Sequence, residues 1–338
     1  MTGTLLFQSI SAPLSTVASG ILAIAISQTA VLHFNARLLL TGFAIASVIT
    51  NTGMTVYSIQ VLVYIFGSND IDRCYILTFS SSQCRDMRRL YSLGRCWLIL
   101  SLFVIAIERT IATIWCRIYE KRNYHYIGLS LAVIQYALPF VLVYGVHSSD
   151  PQSRYLYCDN ELTIAKKDYA GIVVCVIVLQ MIAIVTFIAL WSYNIARKRL
   201  SDNLQMQSLQ TQYQLNENVT TTKTMIPLVA LNAFMLSARI ALLIFAYPSH
   251  YDPTTPKTKS FEEVVVYAHF SELQRSLTPI STFIAVVCFT KQNVHVRNSL
   301  RKLLMLGSPK NKVRPQNGVS NVQAVTNAYF SQLAKQWL

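Results

Sequence analysis

Residues 38–66 contain no Asp, Glu, Lys or Arg. At about 1.5 Å per residue such a stretch, if helical, exceeds the roughly 30 Å of hydrocarbon that a membrane span must cross. Residues 13–36, 126–146 and 169–196 are comparably apolar. Lipid offers no partner for stray backbone N–H and C=O groups, so spans of this kind are helical throughout. Only 13% of the chain is charged, against about 25% for a soluble domain. This excludes a water-soluble enzyme, a disordered chain and a secreted disulfide scaffold. The expected fold is an all-α membrane protein. Its seven spans fall at 13–34, 38–66, 86–114, 126–146, 169–195, 224–247 and 263–289. No internal repeat is evident. The start of the chain lacks the charged n-region of a signal peptide.

Charge in the connections gives an orientation. With the N-terminus outside, 17 of the 29 Lys and Arg face the cytoplasm, nine face outside, and Arg95, Arg239 and Arg275 lie within spans. Ten of the 15 acids are then outside, four inside, and Glu272 lies within a span. The net charge of +14 is therefore a topology signal facing anionic headgroups, and no nucleic-acid-binding motif accompanies it. The resulting organisation is an extracellular N-terminus over 1–12, a transmembrane domain over 13–290 and an amphipathic helix over 291–306. A largely disordered cytoplasmic tail over 307–338 completes it. In the amphipathic segment Val296, Leu300, Leu303 and Leu304 share one face, with Arg297, Arg301 and Lys302 opposite, as in a helix lying on the inner leaflet. Seven spans with the N-terminus outside is the topology of G-protein-coupled receptors.

Three cysteines fall on the oxidising side: Cys74, Cys84 and Cys158. A bond from Cys84, at the start of the third span, to Cys158 in the second outer loop would pin that loop over the helix mouth. Cys74–Cys158 is a rival pairing that the residues alone leave open. At the other end of the third span stands Ile107-Glu108-Arg109-Thr110. An acid followed by Arg resembles the Asp/Glu-Arg-Tyr switch of rhodopsin-like receptors, with Thr110 in place of Tyr. The 24 residues between Cys84 and Glu108 match the separation in those receptors, which favours Cys84–Cys158. A snorkelling arginine beside an acid explains Glu108-Arg109 less well once that spacing is counted.

Longer stretches resemble a narrower family. Glu108-Arg-Thr-Ile-Ala-Thr with Tyr119-Glu120, Cys84-Arg-Asp-Met-Arg-Arg-Leu-Tyr91, and Leu209-Gln-Thr-Gln-Tyr-Gln-Leu-Asn-Glu-Asn-Val219 with Lys223 and Pro227 are similar to nematode serpentine chemoreceptors of class alpha/beta, or the related class alpha. The resemblance covers roughly 70–305. It implies a receptor for a small chemical in the plasma membrane of sensory neurons or their cilia, partnered by a heterotrimeric G protein and needing no cofactor. The seventh span reads Thr278-Pro279-Ile280-Ser281-Thr282-Phe283 where rhodopsin-like receptors have Asn-Pro-x-x-Tyr. The second offers Asn51 where they bury a sodium-binding Asp.

Ionisable residues inside spans usually face the bundle interior. Tyr91, Arg95, Arg239, Glu272 and Arg275 are the candidate ligand-binding set. Glu272 and Arg275, three apart, lie on one helical face. The same residues can serve instead as an interior salt-bridge cluster. Three Arg against one Glu leave an excess of two positive charges, which would draw an anionic or carbonyl-bearing ligand. Arg197-Lys198-Arg199, with the Gln-rich segment that follows, are candidates to face the G protein. They are also ordinary positive-inside loop residues. The sequon Asn218-Val219-Thr220 falls on the inner side, where it would go unused. An insect-type odorant-gated channel has the opposite orientation. Intramembrane enzyme chemistry lacks a second acid within the spans, and the scattered His residues form no metal site.

Overall fold

The computed structural model describes residues 2–29, 32–67, 79–115, 125–145, 154–155, 157–159, 166–204, 209–246 and 258–304. The helices are α1 (Thr2–Ser27), α2 (Phe34–Gly67), α3 (Ser81–Ile114), α4 (His125–Gly145), α5 (Lys166–Leu204), α6 (Leu209–Ala246), α7 (Thr258–Gln292) and α8 (Val294–Leu303). The first seven are long and apolar enough to cross a membrane. Leucines, isoleucines, valines and phenylalanines remain exposed along their outer faces, as lipid rather than water requires.

The helices form a closed ring. Each packs on the next, from α1 on α2 round to α6 on α7, except α4, which rests on α2 and α3; α1 and α7 close the circuit. Helix α3 is the hub, in contact with α2, α4, α5 and α6. Its approach to α2 is set by two glycines. A Cβ on Gly94 would run into the Thr50 backbone, and one on Gly53 into the backbone of Leu90 and Tyr91. Small residues let membrane helices touch backbone to backbone, where dispersion and weak polar contacts replace the missing hydrophobic drive. The main apolar core joins Leu39 and Phe43 of α2, Trp97 and Leu102 of α3, Phe187 of α5, Met225 of α6 and Phe289 of α7.

The first span differs from the hydropathy expectation. It runs Thr2–Ser27 rather than 13–34, with Pro13 inside it, so the segment 1–12 is not a separate N-terminal tail from Thr2 onward. Polar Gln8, Ser9 and Ser11 lower its hydropathy. Yet Gln8 is buried against α7, and the two serine hydroxyls donate to carbonyls of the preceding turn. Helices α5 and α6 extend well past their apolar stretches, to Leu204 and from Leu209. Between α7 and α8 the Asn293 side chain accepts from the N–H groups of His295 and Val296, an N-cap that starts the new helix. The tail over 307–338 lies outside the described residues.

A two-residue ladder lies at one end of the bundle. β1 (Phe79–Ser80) pairs antiparallel with β2 (Arg154–Tyr155). Ser80 then caps α3, its hydroxyl accepting from Gln83 N while Gln83 Oε1 accepts from Ser80 N, a capping box. One turn on, Cys84 is bonded to Cys158, with Cα atoms 5.0 Å apart. Cys84–Cys158, the pairing that the 24-residue spacing favours over its rival Cys74–Cys158, is the one formed. Cys74 lies outside the described residues.

Candidate functional site

Ladder and disulfide together carry Tyr157 and Asp159 into the mouth of the bundle, where both are buried. There they meet Gln8 of α1, Tyr57 of α2, Arg88 of α3, Arg239 of α6, and Tyr267, Ser271, Glu272 and Arg275 of α7. Asp159 sits at the centre of one half. It is paired with Arg275, with Arg239 at 3.1 Å and with Arg88 at 3.8 Å. It also accepts from Ser271 Oγ at 2.9 Å and Tyr267 Oη at 3.1 Å. Glu272 centres the other half. Its Oε1 lies 2.7 Å from Arg275 and 3.3 Å from Arg88, and accepts from Tyr157 Oη at 2.6 Å and Tyr57 Oη at 3.1 Å. Gln8 Nε2 donates to its other oxygen at 3.0 Å. The Arg88 guanidinium lies over the Tyr57 ring, 4.2 Å from its centroid.

A carboxylate taken out of water is costly unless paired and hydrogen-bonded, and here both acids are. Burial alone would push the Asp159 carboxyl up. The charges of Arg275, Arg239 and Arg88, with the Ser271 hydroxyl, outweigh that and hold it well below the usual carboxylate range. Burial pushes the Tyr157 hydroxyl up, so it stays a proton donor. Asp159 and Glu272 are thus anionic partners for the guanidiniums, and the Cys158-bearing loop between α4 and α5 is fastened to α3, α6 and α7 by charge as well as by the disulfide.

This arrangement redistributes the candidate ligand set. Arg239, Glu272 and Arg275 are brought together in the network. Tyr91 is half-buried beside α2 and belongs to no part of it. Arg95 is also absent. It lies two turns below Arg88 on the same face of α3 and lines a separate small cavity of about 40 Å³ between α2, α3, α6 and α7. The expected single acid among the charges has a second beside it, because Asp159, counted from sequence as an outer-loop residue, is folded in. Arg88, at the start of the third span and counted from sequence among the nine outer basic residues, joins the network in the same way. Two signals pointed to them: Asp159 adjoins Cys158, so any disulfide to α3 must draw it inward, and Arg88 and Arg95 are seven residues apart.

At the opposite end of α3, Arg109 grips its neighbour. Nη2 lies 2.7 Å from Glu108 Oε1, and Nε pairs with Oε2, a forked charge-assisted contact. Both residues are buried. Arg109 Nη1 also reaches Asn218 Oδ1 on α6 at 3.4 Å, a partner that the sequence offered only as an unused glycosylation sequon. Thr110, at the position of the usual Tyr, donates its hydroxyl to Ala106 O of its own helix. Arg197 Nη1 lies 3.4 Å from the Thr113 carbonyl and ties α5 to the end of α3, whereas Arg199 is exposed.

The whole chain, residues 1–338, matches the family described as serpentine type 7TM GPCR receptor class ab chemoreceptor. The chain belongs to the class ab serpentine receptors. It is a multi-pass membrane protein of a receptor family. Two relatives from Caenorhabditis elegans are each 24% identical to this serpentine receptor. One, a probable G-protein coupled receptor, aligns over 93% of this chain and 86% of its own length. The other, serpentine receptor class alpha/beta-14, aligns over 90% and 81%. The family agrees with the alpha/beta resemblance of the Glu108, Cys84 and Leu209 stretches, and extends it across the chain.

Proposed function

We propose that this class ab receptor detects a small chemical from the disulfide-bearing side of the membrane and activates a heterotrimeric G protein from the Glu108–Arg109 side. The N-terminus would then be outside and the Cys84–Cys158 loop extracellular, with α8 on the inner leaflet, as the charge asymmetry favours. Sensory neurons and their cilia are the expected site of action. The carrying observation is the buried Arg109, clasped by Glu108 and touching Asn218 of α6. Such a contact restrains α6 against α3 at rest. Turning Arg109 away from Glu108 would free the inner ends of both helices, with Arg197, Lys198 and Arg199 on the adjoining end of α5. The network around Asp159 and Glu272 would be the part that senses ligand, because it joins the loop to α3, α6 and α7.

The test is a calcium or cyclic-nucleotide response in cells expressing the receptor, screened against volatile and soluble small molecules. Epitope tags at both ends, stained with and without permeabilisation, run in parallel. Arg109→Ala should abolish the response at equal surface expression and leave ligand binding intact. Normal signalling by that variant, or a C-terminal tag visible on intact cells, would remove the proposal.

A further inference from the structure

We propose that the cavity lined by Arg95 is an anion site within the bundle, accepting either a small inorganic anion or the carboxylate end of a ligand. Its walls are Phe43 and Ser47 of α2, Arg95 and Leu98 of α3, residues of α6 including Asn232, and Thr278, Ser281 and Thr282 of α7. It lies directly beneath the buried network: on α7 the sequence descends from Arg275 in the network to Thr278 and Thr282 in the cavity, and on α3 from Arg88 to Arg95. The two levels differ in charge. Above, three guanidiniums face two carboxylates. Below, Arg95 carries the sole charge in the wall, and among the described residues it makes no hydrogen bond or ion pair. A guanidinium at this depth in a span is costly until something neutralises it.

The hydroxyls decide what that something is. Ser47 donates to the Phe43 carbonyl, and Ser281 and Thr282 both donate to the Thr278 carbonyl, so their protons are spent within their own helices. Thr278 is the exception. It is 2% exposed and its Oγ1 has no partner. The wall of one cavity thus holds a hydroxyl without a partner and a guanidinium without a counter-charge, two donors that a single anionic acceptor would satisfy. Hydroxyls and amides can coordinate either sign of ion, but a fixed positive charge in the wall repels a cation. Asn51, adjacent through its bond to Thr282, likewise replaces the acid that a cation would need. A volume of about 40 Å³ holds two or three water-sized groups, enough for a chloride ion with a water or for one carboxylate.

The proposal deepens the receptor reading by naming the ligand chemistry, but its test uses no signalling. Full-length receptor purified in detergent is melted while tryptophan fluorescence is followed, at constant ionic strength. Chloride, formate and acetate are each exchanged for isethionate, which has no carboxylate and whose sulfonate head is bulkier than the cavity admits. A saturable rise in Tm with chloride assigns the site to a free anion. A rise with formate or acetate alone assigns it to a ligand's carboxylate. Either should be lost in Arg95→Gln and retained in Arg95→Lys. Thr278→Val, which keeps the charge, should raise the half-saturating concentration about tenfold, the usual loss for a hydrogen bond to a charged group. If Arg95→Gln does not fold, the wild-type and Thr278→Val titrations decide. No anion-specific rise in the wild type, or a rise that Arg95→Gln or Thr278→Val leaves unchanged, overturns the site. That result leaves the receptor assignment standing, because G-protein coupling is read separately.

Discussion

Asp159→Asn tests whether charge, rather than the disulfide alone, seats the Cys158-bearing loop between α4 and α5. The native carboxylate is 2% exposed and faces Arg275, Arg239 and Arg88. The amide keeps the shape but removes the negative charge, leaving three guanidiniums with Glu272 alone. Breaking a buried ion pair from one side costs about 3–5 kcal/mol, because the partner charge is left uncompensated. At about 1.4 kcal/mol per factor of ten, the ratio of seated to unseated loop should fall by roughly two to three and a half orders of magnitude. Hydrogen exchange of a peptide covering 154–159, measured on the purified receptor, reads that opening. Exchange in the variant should accelerate at least a hundredfold, while the Cys84–Cys158 bond stays intact on a non-reducing gel. The charge-balanced double variant Asp159→Asn with Arg275→Gln should recover part of the protection. The pH dependence has a definite sign. The folded pKa of Asp159 lies below its unfolded value of about 3.9, so its contribution is fully present above about pH 4. It fades only as pH falls from there through the folded value. Wild-type protection should therefore be flat from pH 8 to pH 5. Exchange in Asp159→Asn within threefold of wild type, or wild-type protection that already falls near pH 6, would refute the ionic seating of the loop.

Glu108→Gln weakens the clasp on Arg109 and should raise ligand-independent signalling roughly tenfold, the effect of about 1.4 kcal/mol on a minor active population. Asn218→Ala should raise it less, since the 3.4 Å contact is the weaker restraint; a reporter assay at matched surface expression checks both. Cys74→Ser should leave the peptide map of the Cys84–Cys158 bond unchanged. Cys84→Ser should release the loop, with accelerated exchange over 154–159, and a normal exchange rate would count against the disulfide as its tether.

Much of this protein was legible in the residues. The number of spans follows from local hydropathy, because each span must satisfy its own backbone and cover its own share of hydrocarbon. Glu108-Arg109 was equally legible, being a contact between neighbours that depends on no other helix. So was the pairing of Glu272 with Arg275, three residues apart on one helix face. What required the tertiary structure were partnerships between residues distant in sequence. Asp159 reads as a loop acid and Arg88 as a loop base until the disulfide and the short ladder fold Tyr157-Cys158-Asp159 into the mouth; only then do they meet α6 and α7. Gln8 lowers the hydropathy of the first helix in sequence yet binds Glu272 across the ring, which is why α1 begins earlier than its apolar content indicates. Between Cys74 and Cys84 the spacing to Glu108 leans to Cys84, and three-dimensional proximity decides for it. Hydropathy and charge are properties of a segment, whereas the partner of a buried charge is a property of packing, settled by which helices close against one another.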